Sequence, residues 1–588
     1  MSWTQHTSYR LSRFLVIVLL FFKHSHGFLL PSCRLSVKHR FVIDRQDYRL
    51  FRHEALALSA LASEIVNDLD LVPLMKQIAA HAVTLRGRKA LLALVQDEAP
   101  ESYFSSQISS KAPSRARRAQ GDVYARKHSL KLCEAESAQQ ARKAYEWVEQ
   151  AQLVLRPAVD KNGVVCMEPL PQLPFYGDNG PWETSVHADT DDDEWLDLPV
   201  LEWTLQDVLK AEKVIDRLLQ VHDWSRNCSV TTWTPLLADK ASQISAADLR
   251  PVLGEIEGSV QVRRVKSALD PSGRSSFLFE LSEERFPVLR LLRAKLADLK
   301  TRINREPSLQ SKLDDLRQEL EDKEEAIRFG LCQAIANVRL QIDEGLNAMA
   351  LLDTVLAKAA FSILHNGVIP RVEETSSIFV TGFVHPVLSE QAQAIPIDLR
   401  LSEASSHATV PPRALIISGP NGGGKTLAMK SFGLASQMVK LGIPIPVSSA
   451  ASAHCPSVGF FGRIITALGD RQSVESGQST FMAQLSSYAE ILEELDNMET
   501  KSNTSVLVLI DELGSGTEAD GGGAIGQAVI EHMIESKSCR VVATTHSDRL
   551  KATSFHDDRF DCATVLLEEI SGIRKPSYRL EVSLLVMY

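Results

Sequence analysis

Residues 419–426 read Gly-Pro-Asn-Gly-Gly-Gly-Lys-Thr, which is the spacing G-x-x-x-x-G-K-T. Before them runs the apolar stretch Ala414-Leu-Ile-Ile-Ser418, a buried-strand pattern. After them comes a helix pattern, Leu427 to Leu441, stopped by Gly442. In that strand–loop–helix setting Gly419, Gly422, Gly423 and Gly424, with Pro420 and Asn421 between them, let backbone N–H groups converge on phosphates beside a helix N-terminus. Lys425 is then expected to reach the β- and γ-phosphates of a nucleoside triphosphate, and Thr426 to ligate Mg²⁺. A second apolar strand, Val506-Leu-Val-Leu-Ile510, ends in Asp511-Glu512. An acid at the carboxyl end of a core strand can hold Mg²⁺ directly or through water, and its neighbour Glu512 can orient and deprotonate an attacking water. A third strand, Arg540-Val-Val-Ala-Thr-Thr545, delivers His546, placed to sense a γ-phosphate. Taken alone, an Asp-Glu pair can simply close a strand end, and a lone histidine is more often structural. The glycine loop upstream favours the chemical reading of both.

Strands that alternate with helices imply a mostly parallel sheet with nucleotide at its carboxyl edge. Upstream, residues 54–285 are expected to form a mainly helical core, as in Leu74-x3-Ile78 continuing through Leu85 to Leu91 and Leu94. Ser105–His128, Tyr176–Trp195 and Trp224–Ser245 interrupt it as polar insertions, read as solvated loops. The first, with Arg115, Arg117, Arg118, Arg126 and Lys127, is the one plausible nucleic-acid contact among them. Residues 286–364 read as two long helices broken at Pro307. From Leu309 to Leu352 an apolar seam at 3/4 spacing extends about 65–80 Å, a spacer or, beside an ATPase, a lever. Residues 365–398 form a junction, and 399–588 the nucleotide-binding domain.

The 588 residues exceed one compact core and suit two to four domains. With 44% hydrophobic and 23% charged residues the chain is neither wholly disordered, nor collagen-like, nor a polytopic membrane protein. Lys+Arg 64 against Asp+Glu 74 gives a net charge of −10, which excludes a uniformly basic coat for nucleic acid but leaves room for a local basic groove. Eight cysteines, dispersed from Cys33 to Cys562 without C-x-x-C, are expected to be reduced and mostly buried. At the N-terminus, Arg10 and Arg13 precede the apolar run Phe14–Phe22, and no acid appears before Asp44. Residues 1–27 are read as a signal peptide and 28–53 as a transit-peptide-like segment. The junction Ser25-His26-Gly27-Phe28 resembles the two-part leader of secondary plastids, so the expected location is a plastid and the mature form has no membrane anchor. A plain secretory signal, or organelle import from a misplaced start, are the alternatives.

The motifs 419–426, Gln478-Ser-Thr-Phe481, Asp511-Glu-Leu-Gly-Ser-Gly-Thr517 and Thr544-Thr-His546 resemble the MutS ATPase. Gly469-Asp-Arg-Gln-Ser473, Leu550-Lys551, Phe383-Val-His385-Pro-Val-Leu388, and Leu352-Asp353 with Ala357-Lys358-Ala359 favour the MutS-two branch, which lacks mismatch-reading domains. The resemblance covers roughly residues 60–580. It implies an α plus α/β fold: a helical core and lever helices followed by an ABC-type P-loop ATPase. It implies a homodimer that uses ATP and Mg²⁺, with Ser479 of one subunit on the nucleotide of the other. Locally, Ser479 also reads as a helix N-cap. The implied activity is ATP hydrolysis coupled to binding mismatched, branched or damaged DNA, in mismatch repair or restraint of recombination. A ribosome- or RNA-associated ATPase and a regulatory ATP-binding protein with little hydrolysis are the rival readings. The absence of L-S-G-G-Q before Asp511 disfavours a transporter. Only Thr301–Ser311 separates the two lever helices, so the family's DNA clamp is expected to be absent or much shortened and DNA weakly held. The chain stops at Tyr588, shortly after Tyr578-Arg-Leu580, so no nuclease is carried over.

Overall fold

The computed structural model describes residues 68–82, 85–93, 134–154, 157–159, 165–167, 196, 200–227, 243–266, 275–303, 307–389, 394–402, 411–468, 480–499, 504–515, 519–570 and 573–582. The leader, the basic and acidic insertions, most of the third insertion, Ser479 and the Gly469–Ser473 segment lie outside them. In chain order the helical part holds α1 (Leu71–Ala80), α2 (Leu85–Ala93), α3 (Ala138–Val154), the short pair β1 (Pro157–Val159) and β2 (Val165–Met167), α4 (Leu205–Asn227) and α5 (Ala246–Ile256). The hairpin β3 (Val260–Lys266) and β4 (Ser275–Leu281) follows, then α6 (Pro287–Ile303), α7 (Gln310–Asn337) and α8 (Arg339–Leu364).

Next come β5 (Gly367–Val368), β6 (Arg371–Glu373), β7 (Ile378–Phe383), α9 (Pro386–Ser389) and β8 (Ile397–Leu401). The remaining elements are β9 (Ala414–Ser418), α10 (Lys425–Leu441), β10 (Ile445–Pro446), β11 (Ser457–Gly459), β12 (Arg463–Ala467), α11 (Thr480–Glu499), β13 (Val506–Ile510), α12 (Ala519–Met533), β14 (Cys539–Thr544), α13 (Asp548–Thr553), β15 (Phe560–Ile570) and β16 (Ile573–Val582). The fold is α plus α/β, as expected.

Every residue of β9, β13 and β14 is buried, the pattern of parallel strands covered on both faces. The six-stranded order is β12-β13-β14-β9-β15-β16, parallel throughout except for the antiparallel return of β16. Side chains alternate along each strand. Ala414, Ile416, Val506, Val508 and Ile510 pack with Tyr488 and Ile491 of α11 and Val529 and Ile530 of α12. Leu415, Ile417, Leu507, Leu509 and Val542 face α10, whose Met429, Phe432 and Met438 are fully buried. That second core also takes in Leu71, Leu74 and Ile78 of α1, Tyr145 of α3, Phe361 of α8, and Ile378 and Leu399 of the small sheet β6-β11-β7-β8. Here too His385 lies buried, edge-on to Phe383 and 3.8 Å from Asp70, and burial lowers its pKa.

Two features depart from the periodicity reading. The seam from Leu309 to Leu352 is not one rod: the helix breaks at Val338 (φ −112°), leaving α7 and α8 as separate elements. α7 lies against α6 and is largely solvated, with Arg293 of α6 paired to Glu324 at 2.8 Å. α8 is instead a core helix. It is long and apolar enough to cross a membrane, but 72% of its apolar window is buried within the protein. In the second departure, residues 260–281, read as helical, form a hairpin in which Arg263 pairs with Leu278 and both are exposed.

Phe432 joins the sheet to the N-terminal helices, so Phe432→Ala is expected to cost about 3–5 kcal/mol. Urea unfolding followed by tryptophan fluorescence measures it. A loss below about 1 kcal/mol would mean that the two parts are not one core.

Candidate functional site

The carboxyl ends of three neighbouring strands bring the predicted residues together. β9 runs into the glycine loop, β13 into Asp511-Glu512 and β14 through Thr545 to His546. Gly424 closes the loop at φ 89°, a left-handed conformation that glycine adopts without penalty, and caps α10. The first N–H groups of α10 have no acceptor within the helix and make its start an anion site.

Lys425, largely buried, donates from Nζ to the carbonyl oxygens of Gly419 and Pro420, both at 3.0 Å, and lies 3.2 Å from His546 Nε2. Burial lowers its pKa, while Glu512 and then Asp511 act in the opposite direction. The Lys425 ammonium is thus folded back onto its own loop, at the place where an incoming anion would compete for it.

Thr426 Oγ1 donates to both carboxylate oxygens of Asp511, at 2.9 and 3.1 Å. Asp511 also accepts from the hydroxyl of Thr544, and that hydroxyl in turn accepts the N–H of Glu512 at 2.8 Å. Among the described residues no group of three or more His, Cys, Asp or Glu side chains is placed to hold a metal. Thr426 and Asp511 offer an all-oxygen set, the chemistry a hard divalent cation takes when phosphate supplies further oxygens.

Glu512 is exposed and sits at φ +49°, a conformation uncommon for a side chain with Cβ. It is over-determined by its surroundings. Its N–H is held by Thr544, its carbonyl accepts from Ser515 at 3.0 Å, and the next N–H, of Leu513, donates to the Thr544 carbonyl at 2.8 Å. Held in this way, the Glu512 side chain stands exposed at the end of a buried strand. His546 is likewise exposed at its strand end.

Sequence reasoning gave no role to Thr544, which organises both acids, or to Gln484 of α11, which donates to Ser515 Oγ at 2.8 Å. A hydroxyl residue directly after the apolar run Val541-Val-Ala543 was the signal for Thr544, since a buried hydroxyl requires a partner.

Sheet, loop and acids define a nucleotide-binding α/β domain joined to a helical body. Residues 415–580 match the family model described as MutS domain V. The chain is similar to proteins named Endonuclease MutS2. It is 30% identical to that of Brevibacillus brevis over 272 residues, covering 46% of this chain and 32% of the relative. Identity to the protein of Carboxydothermus hydrogenoformans is 32% over 266 residues, 45% of this chain and 31% of the relative. For Aquifex aeolicus it is 32% over 273 residues, 46% and 32%. Over residues 415–580 the chain is similar to the MutS family and, among these relatives, to MutS2 proteins, and its matches span about a third of the length of these curated relatives.

Thr544→Val is expected to orphan the Glu512 amide and leave Asp511 Oδ1 with Thr426 as its remaining donor, lowering stability by about 1–3 kcal/mol, whereas Thr544→Ser stays near the parent. Equal unfolding midpoints for the parent and the valine variant would remove this role.

Proposed function

We propose that the chain is a MutS-type ATPase that couples MgATP binding and hydrolysis to DNA binding. The observation that supports it best is the convergence of Lys425, Thr426, Asp511, Glu512 and His546 on one sheet edge around a helix N-terminus. In this reading the glycine-loop amides and Lys425 take the phosphates, Lys425 exchanging the Gly419 and Pro420 carbonyls for anionic oxygens. Thr426 and Asp511 hold Mg²⁺ with the phosphates. Glu512 accepts the proton of the attacking water, and His546 donates toward the γ-phosphate. Ser479 completes the site of a second copy in a homodimer. The nuclease activity in the relatives' name is not part of the proposal, because the family match is confined to residues 415–580.

For DNA, the class proposed is branched or mismatched duplex, and the contact is phosphate neutralisation. Exposed Arg263 on β3 and Arg290, Lys295 and Lys300 on α6 supply cations in a chain whose net charge is −10. Such contacts carry little sequence information and depend steeply on salt. The plastid reading of the leader is retained as the proposed location.

Glu512→Gln is expected to keep ATP binding and slow hydrolysis by about 10²-fold or more, while Lys425→Ala loses binding without unfolding. A binding isotherm beside phosphate release separates these outcomes. Turnover at the parent rate in the lysine variant would defeat the assignment.

With about four to six phosphates engaged, affinity for a four-way junction is expected to fall roughly 10²–10³-fold between 50 and 200 mM salt. Fluorescence anisotropy across a salt series reads this slope. No binding even at low salt would remove DNA as the partner.

A further inference from the structure

A helix leaves its last carbonyls without donors of its own, and α10, the helix that starts at the glycine loop, has each of them completed. The N–H of Ile443 donates to the Met438 carbonyl at 2.9 Å and that of Gly442 to Val439 at 3.2 Å, across a glycine at φ 62°. The other two donors come from elsewhere in the chain. Ala135 N–H, just before α3, donates to the Lys440 carbonyl at 2.8 Å, and Lys358 Nζ of α8 donates to the Leu441 carbonyl at 2.6 Å. The Tyr145 hydroxyl of α3 donates to the Ile443 carbonyl at 2.9 Å, one residue past the cap. A Cβ on Gly442 would come within 2.8 Å of Ala144 Cβ, so α3 lies directly against this end.

Lys358 is the expensive member of this set. Burial alone lowers its pKa to about 8, with no carboxylate among the causes. Of the charged groups on the elements packed here, Glu134 and Lys440 pair at 2.7 Å, and Arg142 is engaged by Glu374 and the Val372 carbonyl. A neutral donor would satisfy the Leu441 carbonyl. What an ammonium adds is attraction to the negative end of the helix. A helix of 17 residues, about 25 Å long, acts as a stiff body over this distance.

We infer that Lys358 is a positioning residue for the nucleotide site: by holding the carboxyl end of α10, it sets where the opposite end presents Lys425, Thr426 and the glycine loop. This rests on the proposed MgATP site, and it makes α8 a tie between that site and the helical body.

The test is MgATP affinity of the full chain in the parent, Lys358→Met, Lys358→Arg and Leu352→Ala. The last removes a buried side chain of α8 that packs in the helical body, away from this cap. Lys358→Met is expected to weaken MgATP about fivefold at pH 7, the lower end of a site-to-site coupling. Lys358→Arg should stay within about twofold of the parent, and Leu352→Ala should bind as the parent does despite a lower melting temperature.

The pH profile gives a second reading that loss of stability alone would not move. Below about pH 8 Lys358 is charged in both folded and unfolded chains, so its desolvation cost is present in full. From about pH 8 to its unperturbed value of 10.5 the folded state sheds the proton first, and this group's contribution to stability rises. Over the same window the parent is expected to lose MgATP affinity relative to Lys358→Arg, which stays charged. Stability and affinity therefore move in opposite directions. The comparison shares Lys425, so titration of that residue cancels.

Unchanged affinity in Lys358→Met, an equal loss in Leu352→Ala, or parallel pH profiles for parent and arginine variant would each overturn the inference. If the methionine variant does not fold, the pH comparison decides. A parent that binds no MgATP defeats the proposed function and this inference with it. A parent that binds, beside an unaffected methionine variant, defeats this inference alone.

Discussion

Strands β9, β13 and β14 have no exposed face, and the molecule is arranged around that constraint. A sheet apolar on both sides must be covered on both sides. One cover comes from helices of the same domain, α11 and α12. The other is α10, which is itself apolar nearly all round: Met429, Phe432, Leu434, Ala435, Met438 and Val439 are all fully buried. A helix of that kind needs neighbours on its outer side as well. Here α1, α3 and the end of α8 supply them, so the N-terminal helices form a wall of the nucleotide-binding domain.

Parallel strands also end at one edge, and that gathers the chemistry. Lys425, the Asp511-Glu512 pair and His546 are far apart in sequence but follow three adjacent strands. Thr544 keeps the two acids in different states of constraint. It pins the Asp511 carboxylate in a hydrogen-bonded cluster with Thr426, and it holds the backbone that points Glu512 outward at positive φ. Two consecutive carboxylates thereby acquire different surroundings, which a division of labour between them requires.

The sheet and its edge were legible because their signals are local and strong. Unbroken apolar runs of five residues mark covered strands, and a glycine loop between such a run and a helix leaves few alternatives. The lever was less legible. The 3/4 spacing continues across Val338 because both helices bury an apolar stripe there, so periodicity alone does not show that the axis changes. The hairpin β3–β4 shows only the short alternation Val260-Gln-Val-Arg263 before Arg264-Val265 breaks it, too brief a signal to stand out among helical neighbours. Thr544 and the ties at the end of α10 depend on contacts between residues distant in the chain, 33 apart for Thr544 and Asp511, 83 for Lys358 and Leu441 and 298 for Tyr145 and Ile443, and no local sequence window contains them.

The shared core around Phe432 also bears on how the chain reaches this fold. Its members run from Leu69 to Val565, so the first helices, the end of α8 and the parallel sheet share one hydrophobic body. Contacts of such separation form slowly, since loop closure must precede any gain from packing. During synthesis α1 emerges long before β13 and β14 exist to complete the sheet. Until they do, the apolar surfaces of α1, α8 and α10 stay exposed, and α8 has the composition of a membrane segment. The nascent chain is therefore a natural client for chaperones that shield apolar helices. A cut just before β9 would keep that exposure permanently, in α1 and α8 on the N-terminal piece and on the outer side of α10 on the C-terminal piece.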